Sequence, residues 1–412
     1  MTTKIHINRR KFLQLSATTT LAGTSLSKAS SEKTEVASSN TNQQQIKYVR
    51  LGRTELKMSD ISFGSSQLQT GQEYLVQHAL EQGINYFDTA DSYTRGQSER
   101  VLGNALKIHR QNIIIATKIR AAADSNRKEM MRDLDNSLSR LQTDHVDILF
   151  NHAVNDRSRL QNDEWFEFTA KAKKMGKIKY TGMSGHAGNL IDCVDYALDN
   201  NLVDVLLLSY NFGQDPAFYQ QFVRSFDFVA VQPDMLRVIS KAKKNDIGII
   251  GMKVLRGAKL NDMRIFEKEG YTYAQAAFKW ALSNTDLDAT IVSMTSKEKI
   301  NEYIKASGVR ALSQIDFQLL EQYARLTDMT YCRHACNDCE GACPYNVPIA
   351  DTLRTRMYAT DYQNLSFAKS EYADLDNNAS ACLSCDGQPC QNACTHGINV
   401  SQLCGPTHLM LS

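Results

Sequence analysis

Between residues 46 and 326 the chain alternates two hydrophobic rhythms. Short, nearly unbroken apolar runs begin at eight places: ISFG at 61, YFDTA at 86, IIIATK at 113, VDILFNH at 146, YTGMSG at 180, VDVLLLSYN at 203, IGIIGMKV at 247 and ATIVSM at 289. Runs of this length, rich in β-branched and aromatic residues, predict strands buried on both faces. Between them apolar residues recur every three or four positions. In residues 129–141, for instance, Met130, Leu134, Leu138 and Leu141 fall on one face of a helix. Eight buried strands alternating with helices over about 280 residues predict a (β/α)8 barrel. A doubly wound open sheet is the rival, but no G-x-G-x-x-G follows the first run.

Both ends leave this rhythm. At the start, Asn8-Arg9-Arg10-Lys11-Phe12-Leu13 precedes a mildly apolar stretch over 15–26 and a small-x-small site, Ser27-Lys28-Ala29. The stretch is too short and too rich in Thr and Ser to span a bilayer. The pattern resembles a twin-arginine export signal, which implies residues 1–29 as a signal peptide, passage through the twin-arginine translocase and a periplasmic or otherwise exported protein. Residues 30–45 are polar and poor in apolar side chains, which predicts a disordered linker.

The other end, 327–412, is set apart by cysteine. Nine of the ten cysteines lie between Cys332 and Cys404, and eight form two runs: Cys332, Cys336, Cys339 and Cys343, then Cys382, Cys385, Cys390 and Cys394. Thiolates a few residues apart can hold three corners of an iron–sulfur cube, with a remote thiolate on the fourth. Structural zinc and disulfides are the alternative uses of such spacing. With Pro344 after Cys343, the runs resemble the two-cluster bacterial ferredoxin motif. That resemblance implies two [4Fe-4S] clusters, with Cys332, Cys336 and Cys339 joined by Cys394, and Cys382, Cys385 and Cys390 joined by Cys343. Three residues separate the first two cysteines where two are usual, four separate Cys385 from Cys390, and Thr395 stands where a second proline is expected. Cys193, in an apolar helix pattern, reads as a core filler. Residues 345–381, polar and rich in Tyr and Asp with helical patches, are expected to wrap the clusters.

Composition then excludes rather than assigns. The net charge is +2 with no basic stripe, so there is no nucleic-acid footprint. No twenty-residue apolar run exists to cross a membrane. About 370 residues remain after leader and linker, enough for a large barrel and a small second domain.

Barrel chemistry sits at the carboxyl ends of the strands, and polar residues concentrate there. Asp88 and Tyr93 follow the second run, Lys118 ends the third and His152 ends the fourth. Singly, each has a structural explanation as cap, solvated end or core imidazole; together they suit acid–base work in one pocket. At these residues the chain resembles the aldo-keto reductase family, in its branch with a C-terminal iron–sulfur domain. The resemblance implies that Asp88, Tyr93, Lys118 and His152 are the catalytic tetrad of an NAD(P)-dependent oxidoreductase acting on a carbonyl or alcohol substrate, sugars included. Tyr93 would protonate the carbonyl oxygen while His152 orients it. Tyrosine ordinarily titrates near 10, so Lys118, held by Asp88, is expected to bring Tyr93 down toward a working range.

The same resemblance places the nicotinamide cofactor, NAD or NADP, against Ser184, Gly185, Met252, Lys253, Leu255, Arg256, Lys299 and Glu302. His186 stands where an asparagine is usual, Leu207 where a glutamine is, and Met252 where an aromatic ring stacks on the nicotinamide. Arg256 and Lys259 suit a pyrophosphate. Free nicotinamide cofactor should be scarce outside the cytoplasm, so an exported enzyme is expected to carry its cofactor bound and to recharge it in place. A second substrate, or electrons passing through the clusters from a redox partner protein, would serve. The alternative is an iron–sulfur electron-transfer protein whose barrel is a docking or ligand-binding scaffold; Trp165 and Trp280 are expected in its core.

Overall fold

All eight apolar runs become strands of one closed parallel barrel in the computed structural model, which describes residues 46–412 except 187, 221–230, 258–259, 329–330, 334–335 and 337. The expected signal peptide and linker, Lys259, and part of the long loop after the sixth run lie outside the described residues. A hairpin, β1 (Tyr48–Arg50) and β2 (Lys57–Ser59), precedes the barrel. The barrel strands are β3 (Ile61–Gly64), β4 (Tyr86–Asp88), β5 (Ile114–Ile119), β6 (Val146–Asn151), β7 (Ile178–Gly185), β8 (Val205–Ser209), β9 (Gly248–Met252) and β10 (Ala289–Ser293). Each pairs with the next, and β10 closes on β3.

Two shells of apolar side chains hold this arrangement. The inner one fills the barrel with Tyr86, Ile114, Ile148, Phe150, Val205, Leu207 and Ile250. Leu51 and Met58, from the hairpin, join that shell and plug its lower end. Gly52 lets the hairpin come this close: at φ +45°, a Cβ there would sit 2.1 Å from the Gly248 nitrogen. The outer shell lies between strands and helices. Arg127–Leu141 shows why the helices form where they do: Asn126 caps it by accepting from the backbone of Lys128 and Glu129, and Met130, Leu134, Leu138 and Leu141 are buried as their spacing predicts. Trp165, Trp280 and Cys193 are buried in the same shell.

Beyond the last barrel helix, Gln314–Thr327, the tail is a small helical unit of Ile349–Thr360, Leu365–Ala373 and Val400–Leu411. Its core gathers Val347, Ile349, Leu353, Ile398 and Val400 around the cysteines. Barrel and tail belong to one compact unit. Arg120, just past β5, bonds the Asp374 carbonyl at 3.2 Å and the Asp376 carboxylate at 2.6 Å. Segment 345–381 therefore does more than surround cysteines, because its helices lie across the barrel mouth. No helix among the described residues is long and apolar enough to cross a membrane.

Candidate active site

A cavity of about 1070 Å³ opens at the carboxyl ends of the strands and is walled by barrel on one side and tail on the other. Asp88, Tyr93, Lys118 and His152 all line it. Asp88 ends β4, Lys118 lies on β5, and His152 directly follows β6. Tyr93 opens a short 3-10 turn, Tyr93–Gly96, whose Thr94 and Arg95 take left-handed φ of 48° and 58° to turn the chain back into the next helix.

Lys118 and Asp88 form the floor. The ammonium donates to Asp88 Oδ2 at 2.5 Å and to the Thr89 carbonyl at 2.7 Å, and both side chains are fully buried. Asp88 Oδ1 has no hydrogen-bond partner among the described residues. Burial works against both charges, raising the Asp88 carboxyl and lowering the Lys118 ammonium, while their contact pulls back. The Tyr93 and His152 rings stand edge to face with centroids 5.6 Å apart.

The expectation that Lys118 brings Tyr93 down is not met. Burial first, and then the Asp88 carboxylate, push the phenol well above its usual range. The physical reason is geometric: Lys118 Nζ sits 4.7 Å from the centre of the Tyr93 ring, and it donates to Asp88 and Thr89 rather than to the phenol oxygen. Tyr93 is thus held as a neutral proton donor. Burial, followed by the charges of Lys118, Arg159, Arg120 and Lys253, pulls His152 well below its usual value, so it is a neutral imidazole.

The residues expected at the cofactor behave less uniformly. Ser184, Met252, Lys253, Leu255, Arg256, Lys299 and Glu302 line the same cavity, and Gly185 is not among its walls. Ser184 Oγ accepts from the Ala153 backbone at 2.9 Å. Gly185 serves packing: a Cβ there would meet Leu190 Cδ1 at 2.4 Å and the Val154 carbonyl at 3.1 Å. Leu207 lies in the barrel interior rather than on the cavity wall. Arg256 is turned inward, ion-paired with buried Asp328 and stacked 4.7 Å from the Phe212 ring centre, so its charge is already matched. Lys299 and Glu302 pair at 2.7 Å on the helix Lys297–Ile304. Lys253 is different. It has no ion-pair partner among the described residues, and burial together with Arg354 lowers it to about 7.

Sequence reasoning missed the tail's share of the site. Asp351, Arg354 and Tyr358 from the helix Ile349–Thr360, and Glu371 from Leu365–Ala373, line the same cavity as the tetrad. Arg354 donates to Asp351 at 2.5 Å and lies 3.0 Å from His186 Nδ1. The spacing of Asp351, Arg354 and Tyr358 puts them on one helix face, a signal present in the sequence but without an indication of what the face would meet.

All ten cysteines are free thiols. The charge neighbours of Cys332 are Cys336, Cys339 and Cys394, and those of Cys390 are Cys343, Cys382 and Cys385. Cys339 also feels the charge of Cys390, from the other set. Burial and neighbouring thiols push Cys339 up to about 12, a repulsion that a cationic metal core would offset. Cys336, Asp338 and His396 also bring ligand atoms within 4.8 Å of one another.

The profile of the Aldo/keto reductase family matches residues 60–325, the barrel without the tail. The L-galactose dehydrogenase of Arabidopsis thaliana is 26% identical over 279 residues, covering 62% of this chain and 86% of its own. The L-glyceraldehyde 3-phosphate reductase of Escherichia coli is 23% identical over 324 residues, covering 68% and 92%. Among solved structures, the aldo-keto reductase AKR11C1 from Bacillus halodurans superposes with a TM-score of 0.51 at 22% identity, over 67% of this chain and 96% of that one, a likeness of fold.

Proposed function

The chain belongs to the aldo/keto reductase family, and from that membership we propose how this member works. It is an NAD(P)-dependent oxidoreductase with a small-molecule substrate. In our reading the cavity takes a carbonyl compound, or the matching alcohol in the reverse direction, and a sugar is the class we favour. The names of the two curated relatives, a galactose dehydrogenase and a glyceraldehyde phosphate reductase, support that choice.

A bound nicotinamide supplies or takes up the hydride at the carbonyl carbon. The protein's own part is a proton and a field. Tyr93 passes its phenolic proton to the carbonyl oxygen as that oxygen gains charge. Neutral His152 holds the same oxygen in place. The Asp88–Lys118 pair sets the floor on which the Tyr93 ring rests. One observation carries this reading: the tetrad converges on a single cavity, with the two rings that would flank the carbonyl 5.6 Å apart.

Around that core we propose an exported, cofactor-retaining enzyme. The leader directs export by the twin-arginine route, which carries folded proteins. The tail helices wall the cavity that also holds the cofactor-side residues, which supports a nucleotide kept through export rather than exchanged. The two thiol quartets suit [4Fe-4S] clusters that supply one-electron transfer to a redox partner. The test uses the natively exported protein: iron, sulfide and nicotinamide released on denaturation, with turnover of Tyr93→Phe alongside. We expect both cofactors present and turnover lowered about 100- to 10,000-fold with clusters intact. Full turnover by the variant would remove the tetrad reading, and zinc in place of iron would remove the clusters.

A further inference from the structure

The tetrad accounts for the proton chemistry in the cavity; the other polar side chains that tail and barrel place in its lining take no part in that chemistry. These fall into two sorts. Arg354 is tied to Asp351 and His186 and is therefore held still. The Glu371 carboxylate, the Tyr358 hydroxyl and the Lys253 ammonium line the same cavity with no hydrogen-bond or ion-pair partner among the described residues. Glu371 and Tyr358 line the same cavity as Tyr93 and His152.

Unpartnered polar groups in a partly desolvated cavity are costly unless a ligand completes them. The charge balance narrows the choice of ligand. Ten acidic side chains line the cavity against seven basic ones, with Asp351 and Glu371 among the acids, so the lining does not favour a free anion. It does offer acceptors: an ionised carboxylate takes up to two O–H donors at once, and a phenol beside it can give or take one more.

We propose that Glu371 and Tyr358, supplied by the cysteine-bearing tail, bind hydroxyl groups on neighbouring carbons next to the reacting carbonyl, and so select polyhydroxylated substrates over plain aliphatic ones. Two vicinal hydroxyls fit the two carboxylate oxygens of Glu371. The segments that carry the cysteines and the helices that carry Tyr358 and Glu371 then belong to one piece of chain, which gives the tail a role at the barrel site apart from any electron it moves. This rests on the carbonyl-reductase reading above and deepens it.

The experiment compares two four-carbon aldehydes, erythrose and butanal, with the full-length, cluster-loaded protein. The readout is the ratio of kcat/KM for the two. In Glu371→Gln, which keeps the shape and loses the charge, the ratio falls about 10- to 100-fold, the loss expected for a hydrogen bond to a charged group; Tyr358→Phe lowers it by a smaller factor. An unchanged ratio in both variants overturns the proposal, because damage to the fold or to hydride transfer lowers both substrates together. Saturation-transfer NMR with erythritol and butan-1-ol tests binding without turnover. Transfer to erythritol that is lost in Glu371→Gln supports the site even if neither aldehyde is reduced, a result that would count only against the reductase reading. Equal transfer in wild type and variant, or none in the wild type, overturns it.

Discussion

Replacing Lys118 by Met removes one ammonium and keeps the volume, and its cost can be worked from the contacts. Asp88 Oδ2 would lose its 2.5 Å partner while Oδ1 already has none, leaving a carboxylate that is 1% exposed with no donor at all. Breaking one side of a buried pair costs about 3–5 kcal/mol. With a urea dependence of about 3 kcal/mol per M for a chain of this size, the unfolding midpoint falls by about 1–1.7 M. Trp165 and Trp280, both packed in the barrel shell, report that transition by fluorescence. Adding Asp88→Asn removes the stranded charge, so the double variant recovers most of the loss. The pH dependence has a definite sign. Burial raises the folded-state Asp88 carboxyl above its unfolded value near 3.9, and losing Lys118 raises it further. The folded state then binds the extra proton, and stability falls as pH rises from about 4 through the folded value. The deficit of Lys118→Met is therefore larger at pH 8 than at pH 5. A single variant no less stable than the double, or a deficit that grows toward acid, would refute the account of the floor as a buried pair.

Two further outcomes follow from the same contacts and packing. Asp328→Ala should cost about 3–5 kcal/mol, because it strands the buried Arg256 guanidinium and takes the acceptor from Tyr219 Oη, 2.7 Å away; thermal inactivation of the purified protein measures it, and a shift of under about 1 kcal/mol would mean that Arg256 finds another partner. On the proposal that the tail holds two clusters, Cys394→Ser roughly halves the bound iron by emptying one of them, and, because the tail helices wall the cavity, it speeds release of bound nucleotide. Nucleotide release at the wild-type rate after iron is lost would show that the wall stands without the proposed clusters.

The pieces legible in the chain are those that depend on near neighbours. The barrel follows from eight apolar runs separated by helical periodicity, since a strand buried on both faces must be apolar along its length. The tetrad was readable because a barrel puts every strand's carboxyl end on one rim, so Asp88, Lys118 and His152 meet wherever they lie in the chain. The two cysteine runs were readable from spacing. The hairpin plug was not, because Leu51 and Met58 gain burial only from a barrel interior that strands far away create. Nor was the pairing of Arg256 with Asp328 across 72 positions, which takes a cation that local pattern offered to a phosphate and matches it inside the protein.

The order of strands and helices, the chemistry at the strand tips and the cysteine spacing were thus determined by the sequence alone, because periodicity and short-range geometry decide them. Tertiary structure decided what those groups experience. It laid the helix Ile349–Thr360 over the mouth, turned an expected lowering of Tyr93 into a rise through burial, and set Glu371 and Tyr358 in the same cavity as the tetrad. Desolvation and long-range packing depend on which surfaces meet, and no local run of residues states that.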